Sequence, residues 1–375
     1  MSRSTYGGQD CPAKAMGRRE FLLAAAATAA AGLSSGYLRA QTSSAQTNPA
    51  LSPATAAVSN TIAKSLVTPN ADFFIRNHFK TLVINEEKWN LEIGGAVTNP
   101  TKLSYTDLLL ASSVRCPLTI ECAGNLSGGP GVSTAVWSGL PVAELLKQAG
   151  IQAGATTIVF HGADAGDAVG TPPGTHYARA IPLEKAMDGS TLLAYEMNGA
   201  PLPPEHGFPL RALVSGWYGM DSVKWLTRIE VSQEPFKGYF QQEHYVALEA
   251  NGGREVITRM RVNSKFLRPM DAEEIRSKTY RIEGVAWAGE AKIAKVELRF
   301  EVNGPWQPAE LGQSPAALVW TPWSYAWSIP RPGQFKIEVR ATDDQGNSQP
   351  LVRDPDRKDD YELNTTHRIT VSVRS

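Results

Sequence analysis

Apolar and polar side chains alternate in Trp89-Asn90-Leu91-Glu92-Ile93, the period of a half-buried strand. Thr156 to Phe160 and Leu192 to Tyr195 are likewise strand-like, and Asn198-Gly199 marks a turn directly after the second. Between them, Pro141-Val142-Ala143-Glu144-Leu145-Leu146-Lys147 opens with the proline that favours a helix start and then spaces its apolar residues at helical intervals. Strand-like and helix-like pieces alternate in this way to about residue 235, without a βαβ repeat carrying a glycine fingerprint. This predicts an α+β fold of mixed character for residues 71–262.

Beyond residue 262 the texture changes. Tyr280 to Trp287, Ile293 to Val302, Phe335 to Ala341 and His367 to Val373 are short alternating runs separated by Gly, Pro and Asn. They predict an all-β, immunoglobulin-like sandwich over residues 263–375, with the boundary between Val262 and Thr279. Residues 41–70 are rich in Ala, Ser, Thr, Asn and Pro without a period, and read as a linker or a surface arm. The first core-like signal is Phe73-Phe74-Ile75.

The first 40 residues read as an export signal. Gly17-Arg18-Arg19-Glu20-Phe21-Leu22-Leu23 is a twin-arginine pattern, an Ala-rich apolar stretch follows to Leu33, and a cleavage point is expected near Ala40. That route carries proteins already folded, so the segment implies a periplasmic protein and hints at a buried cofactor. With 1–40 removed, five basic and two acidic side chains are lost from a neutral chain and the net charge becomes −3. Such a balance gives no ground for nucleic acid or an anionic membrane as partner.

Phosphate-loop and His-Glu-x-x-His patterns are missing, and the six histidines lie far apart, without the close pairing of most zinc sites. Cys116 and Cys122 stand six apart, a spacing that leaves a bridge between them open. Leu118-Thr119-Ile120-Glu121-Cys122 is an apolar strand ending in an acid and a cysteine, and glycines follow at 124, 128 and 129. Cys122 could be a small core hydrophobe, a nucleophile or a soft metal ligand. A nucleophile needs a base, and no histidine lies nearby in sequence. Arg76 and His78, His206 and Arg211, and Lys224 offer forked and point cations suited to an anionic group.

Taken in order, Arg76-Asn77-His78, Glu121-Cys122-Ala123-Gly124-Asn125, Thr134 to Gly139, Leu193 to Gly199, His206 to Arg211, Gly216-Trp217-Tyr218-Gly219, Val223 to Leu226 and Gln241 to Tyr245 resemble the sulfite oxidase family of molybdenum-cofactor enzymes. The resemblance covers residues 70–373. It implies that Cys122 supplies the protein thiolate to molybdenum, and that His78, Asn125, Asp164, His206, Arg211 and Lys224 hold the molybdopterin. It further implies that Arg76, Trp137 and Tyr245 line the substrate pocket, that the β-sandwich mediates a homodimer, and that sulfite or a related sulfur compound is oxidised with water as oxygen source. No Cys-x-x-Cys-His haem signature occurs. Electrons are therefore expected to pass to a separate acceptor, a c-type cytochrome.

The chain departs from the pattern in one place. Sulfite oxidisers continue the cysteine motif with Arg-Arg, whereas Leu126 and Ser127 stand here. A less cationic pocket is expected, and with it an alternative: the same cofactor acting on a neutral substrate, or reducing an S-oxide or N-oxide. On that reading, arginine at 127 would tighten sulfite binding. A reading from another class is a secreted binding protein built on the β-sandwich.

Overall fold

The computed structural model describes residues 66–167, 170–314 and 316–374. The twin-arginine segment, its cleavage point and most of the arm expected over 41–70 lie outside the described residues. Two larger sheets build the first half, beside a two-stranded sheet of Val246–Leu248 and Arg254–Val256. One runs in the order Thr101–Ser104, Asn90–Gly95, Leu226–Ser232, Thr157–Gly166, Thr175–Pro182, and the other Val114–Glu121, Val132–Pro141, Leu192–Met197, Ala200–Pro201. The pairing of Asn90–Gly95 with Leu226–Ser232 is parallel, which joins the beginning and end of this half in one sheet. The Asn198-Gly199 turn is where it was expected, with φ of 54° and 79°, between Leu192–Met197 and its hairpin partner.

Helices are few and short. Val142–Ala149 follows Pro141 and buries Val142, Leu145, Leu146 and Ala149, one face at helical spacing. Tyr105–Leu110 is started by a capping box in which the Ser104 hydroxyl accepts from Asp107 N and the Asp107 carboxylate accepts from Ser104 N. The first half is thus mixed but dominated by sheet.

From Asn263 onwards the chain is all β. One sheet runs Asn263–Arg268, Thr279–Trp287, Thr321–Ser328, Glu310–Leu311; the other runs Glu274–Ile275, His367–Val373, Gly333–Asp343, Ile293–Arg299, Gln307–Pro308. Strand periodicity explains the core between them. In His367–Val373 only Ile369, Val371 and Val373 are buried, and they join Ile337, Val339, Ile282 and Val296.

Part of the expected surface arm belongs to the core. Leu66 is buried, its carbonyl accepts from Trp320 Nε1 at 2.9 Å, and Thr68 N donates to Thr134 O at 2.8 Å. A single leucine among small polar residues carries no period, so this anchoring left no trace in the hydrophobic pattern.

The two halves meet at His367. Its ring packs against Gly128, where φ is +73° and a side chain would collide with the imidazole, and its Nδ1 accepts from Phe266 N at 3.2 Å. Burial lowers its pKa from 6.5 to about 4. Below pH 6.5 the unfolded chain takes up a proton that the folded one refuses until about pH 4. The stabilisation is therefore present above pH 6.5 and lost as pH falls through that window, by up to about 3 kcal/mol. In urea unfolding at pH 7 and pH 4.5, the wild type is expected to lose more stability than His367→Gln. Equal losses would show that this ring does not set the acid sensitivity.

Candidate active site

Strand Val114–Glu121 carries the cysteine to the pocket. Cys116, Leu118 and Ile120 point into an apolar core, while at the far end Thr119 and Glu121 are buried too. The chain then turns sharply: Asn125 N donates to Cys122 O at 2.9 Å, and Cys122 N donates to Gly131 O at 2.8 Å. Asn125 braces this loop with both ends of its amide, donating to Glu121 Oε1 at 3.1 Å and accepting from Gly131 N at 2.8 Å. A Cβ on Gly129 or Gly131 would press on Asn125 Oδ1, at 2.6 and 2.8 Å, which explains the small residues after the cysteine.

Glu121 ties the loop to the second half of the molecule. Its fully buried carboxylate accepts from Trp287 Nε1 at 2.8 Å and from Asn263 Nδ2 at 3.1 Å, besides Asn125. Burial pushes the carboxyl up to about 7 against the pull of these three donors.

Cys122 is a free thiol. Cys116 is buried in the strand, and the bridge between the two that their spacing left open is not formed. Burial raises the Cys122 pKa, and the Gly124 N–H and the Arg76 charge offset this only in part. A nucleophile would be activated by a lowered pKa; a thiol of this kind ionises when a metal takes it. Among the described residues no three His, Cys, Asp or Glu side chains are grouped to hold a metal, so Cys122 offers one ligand and not a cage.

The thiol opens onto a pocket that is also lined by Arg76, Asn77, His78, Asp164, Tyr177, His206, Arg211, Ser222, Lys224 and Tyr245. Buried Arg211 donates from Nε to Ser222 O at 3.2 Å, and its terminal nitrogens have no protein partner among the described residues. Lys224 Nζ donates to Arg76 O at 3.1 Å, to Glu205 O at 2.9 Å and to Asn77 Oδ1. Burial, and next Arg211, lower the Lys224 pKa to about 7. Asp164 Oδ1 is buried with no hydrogen-bond partner, and burial raises that carboxyl to about 6. Burial holds His206 neutral, with its pKa lowered to about 4; Nε2 donates to Asn70 O at 3.2 Å, which leaves Nδ1 as an acceptor.

His78 Nε2 and the Tyr245 hydroxyl are joined at 2.6 Å, and the His78 ring stacks on Tyr177 at 4.6 Å. Burial and the nearby Arg76 lower His78 to about 3, so it too is neutral. Tyr245 follows a π-helical turn, Phe240–His244, of the kind often found at functional sites. Arg179 holds that turn from beneath. It is fully buried, pairs with Asp221 at 2.7 Å, donates to Phe240 O and to Ile257 O at 3.2 Å, and lies under the Tyr245 ring at 5.6 Å.

Two residues expected at the pocket surface are elsewhere. Trp137 is fully buried, edge-on to Phe73 and 5.5 Å from the Arg211 guanidinium, so it backs Arg211 and does not line the pocket. Asn125 organises the cysteine loop, with its amide consumed as described. Ser127 is also displaced from the expectation built on it. Its hydroxyl is committed to Thr365 Oγ1 at 2.7 Å and Leu363 O at 3.1 Å, and it is not among the lining residues. The sequence reading missed Asn77, Tyr177, Arg179 and Ser222. Only Arg179 carried a signal, a charge inside the otherwise apolar Tyr177-Ala178-Arg179-Ala180-Ile181.

An orphaned buried carboxylate oxygen, a buried guanidinium with open donors and a thiol without a base fit a molybdopterin that holds molybdenum. Cys122 would take the metal; Asp164, Arg211, Lys224 and His206 would hold the pterin and its phosphate. Residues 78–240 match the oxidoreductase molybdopterin-binding domain model, and residues 254–372 match the Mo-co oxidoreductase dimerisation domain model. The chain belongs to the sulfite oxidase family of molybdenum-cofactor oxidoreductases. Human mitochondrial sulfite oxidase is 33% identical over 323 residues, 77% of this chain and 58% of that protein. Nitrate reductase [NADH] 1 of Arabidopsis thaliana is 30% identical over 331 residues, 76% of this chain and 36% of that protein. The chain thus spans under two thirds of the length of these relatives. The sulfane dehydrogenase SoxCD from Paracoccus pantotrophus shares the fold, with a TM-score of 0.73 at 24% identity over 83% of this chain and 84% of that one.

Proposed function

We propose that this member of the sulfite oxidase family oxidises sulfite or a closely related sulfur compound. In this reaction sulfite and water give sulfate, two protons and two electrons. The observation that carries the reading is the free Cys122 thiol in one pocket with the buried Arg211, the half-buried Lys224 and the exposed Arg76. The bound molybdenum would supply the two-electron redox change. The chain's own residues would do the rest: Arg211, Lys224 and Asp164 fix the cofactor, and Arg76 draws in the anion. The Tyr245 hydroxyl, oriented by His78, meets the charge that moves off the reacting oxygen. Arg179 keeps that hydroxyl in place by holding the turn before it.

The electrons would leave singly to a separate acceptor, a c-type cytochrome, and the match to a dimerisation domain supports a homodimer. The Arg18-Arg19 segment supports export and a periplasmic location. The test is metal and pterin analysis of the purified protein joined to turnover with sulfite and cytochrome c, set against reduction of organic S-oxides and N-oxides. Stoichiometric molybdenum with sulfite-dependent reduction of the cytochrome is expected. Turnover of the oxides alone would replace this reading by the reductive one.

A further inference from the structure

The cysteine loop is roofed by a segment of the second half, and what that segment sets beside the pocket residue Tyr245 is a ring and not a charge. Glu362 N donates to Ala123 O at 2.8 Å, directly beside Cys122. A Cβ on Gly124 would meet Asp360 O at 3.9 Å and Tyr361 Cδ1 at 4.0 Å, so the segment lies in van der Waals contact with the loop. The half-buried Tyr361 ring sits 5.2 Å from that of Tyr245 and 6.2 Å from that of His244.

The arginines around this roof are turned away and neutralised. Arg357 grips Asp359 with two nitrogens, each at 2.8 Å, and Glu362 with a third at 2.8 Å. Arg353 is held by the Asp359 backbone and carboxylate, and Arg261 by Glu362 at 2.9 Å. Lys224 and Arg211 belong to the cofactor side. Among the described lining residues this leaves Arg76 as the cation for the substrate; Tyr245 lines the pocket beside it, and Tyr361, outside the lining set, packs against the Tyr245 ring next to the cysteine loop.

We propose that Tyr361 is a specificity-determining residue and that the pocket is matched to an organic sulfinate. Such a molecule has one negative charge for Arg76, a sulfur lone pair for oxidation, and a carbon group that packs on the Tyr361 ring. This rests on the sulfur-oxidising reading above. The conversion is balanced: a sulfinate and water give a sulfonate as one S–O bond forms, two protons pass to solvent, and two electrons go to the same c-type cytochrome class of acceptor. Sulfite, smaller and doubly charged when fully ionised, gains nothing from the ring and lacks a second cation.

The experiment compares kcat/KM for sulfite, methanesulfinate and benzenesulfinate in the molybdenum-loaded wild type, Tyr361→Arg, Tyr361→Ala and Tyr361→Phe. The wild type should prefer a sulfinate to sulfite. Tyr361→Arg should shift that ratio toward sulfite by about tenfold or more, the effect of one added charge-assisted contact. Tyr361→Ala should lower sulfinate turnover alone, and Tyr361→Phe, which keeps the ring, should leave the ratio near the wild-type value. Calorimetric binding of benzenesulfonate against sulfate to the wild-type holoenzyme gives a readout free of turnover, with tighter binding of the sulfonate expected. A wild type that prefers sulfite, or a ratio unmoved in Tyr361→Arg and Tyr361→Ala while sulfite is oxidised, overturns this inference and leaves the broader reading intact. A fully loaded enzyme that oxidises none of the three overturns both.

Discussion

Replacing Glu121 by Ala is expected to destabilise the protein by about 3–5 kcal/mol, because it strands three buried donors at once. Asn125 Nδ2, Asn263 Nδ2 and Trp287 Nε1 all converge on this carboxylate, which is only 2% exposed. Glu121→Gln keeps the volume but turns an NH2 group toward a donor, and should cost less. Chemical denaturation measures both. The loss should also reach the pocket, since Asn125 braces the turn after Cys122. Alkylation of Cys122 in cofactor-free protein should therefore be faster in Glu121→Ala than in wild type. A double-mutant cycle with Asn263→Ala should be strongly non-additive, because the two changes break one network. Additive costs would show that Glu121 does not couple the halves.

Cys122→Ser should lower turnover by at least about two decades while leaving the fold and the pterin content near wild type. Even a residue that only orients a metal ligand is worth about 10- to 100-fold, and on the proposed reading the ligand itself would be lost. A serine hydroxyl is a far poorer donor to a soft metal than a thiolate. On the proposed reading the pterin would be held from other elements, by Asp164, Arg211 and Lys224, whose side chains the substitution leaves in place. Pterin fluorescence after oxidation, circular dichroism and steady-state turnover separate these effects. Wild-type turnover in Cys122→Ser would remove the residue from its assigned place.

The all-β second half was legible because strands such as His367–Val373 bury one face, and a one-sided strand writes its period into the sequence. Strand Val114–Glu121 was harder to read. Its far end is buried on both faces, so alternation fails there and Glu121 looks like an exposed strand end. Residue order grouped His78, Asp164, His206, Arg211 and Lys224, and these five do line one pocket. Trp137 and Asn125 were placed at its surface because a motif shows proximity but not side-chain direction; the strand pleat turns Trp137 inward and the turn closes on Asn125. Ser127 shows the same limit. A gap in a row of cations suggested an open space facing the substrate, but the hydroxyl is bonded to a segment more than 230 residues away in sequence. Arg179 works through backbone carbonyls at 240 and 257, contacts that no local pattern records.

The contact between Gly128 and the His367 ring bears on how such a chain can change. A domain that only sits beside its neighbour can be exchanged for another by recombination, with a new linker as the sole adjustment. Here the cysteine loop is moulded against the imidazole at 367, and its preceding acid takes donors from residues 263 and 287. Neither half is a cassette. A swapped second half would have to bring a ring, an amide and an indole to matching places, so the two are expected to be inherited together and to accept substitutions at this seam in pairs.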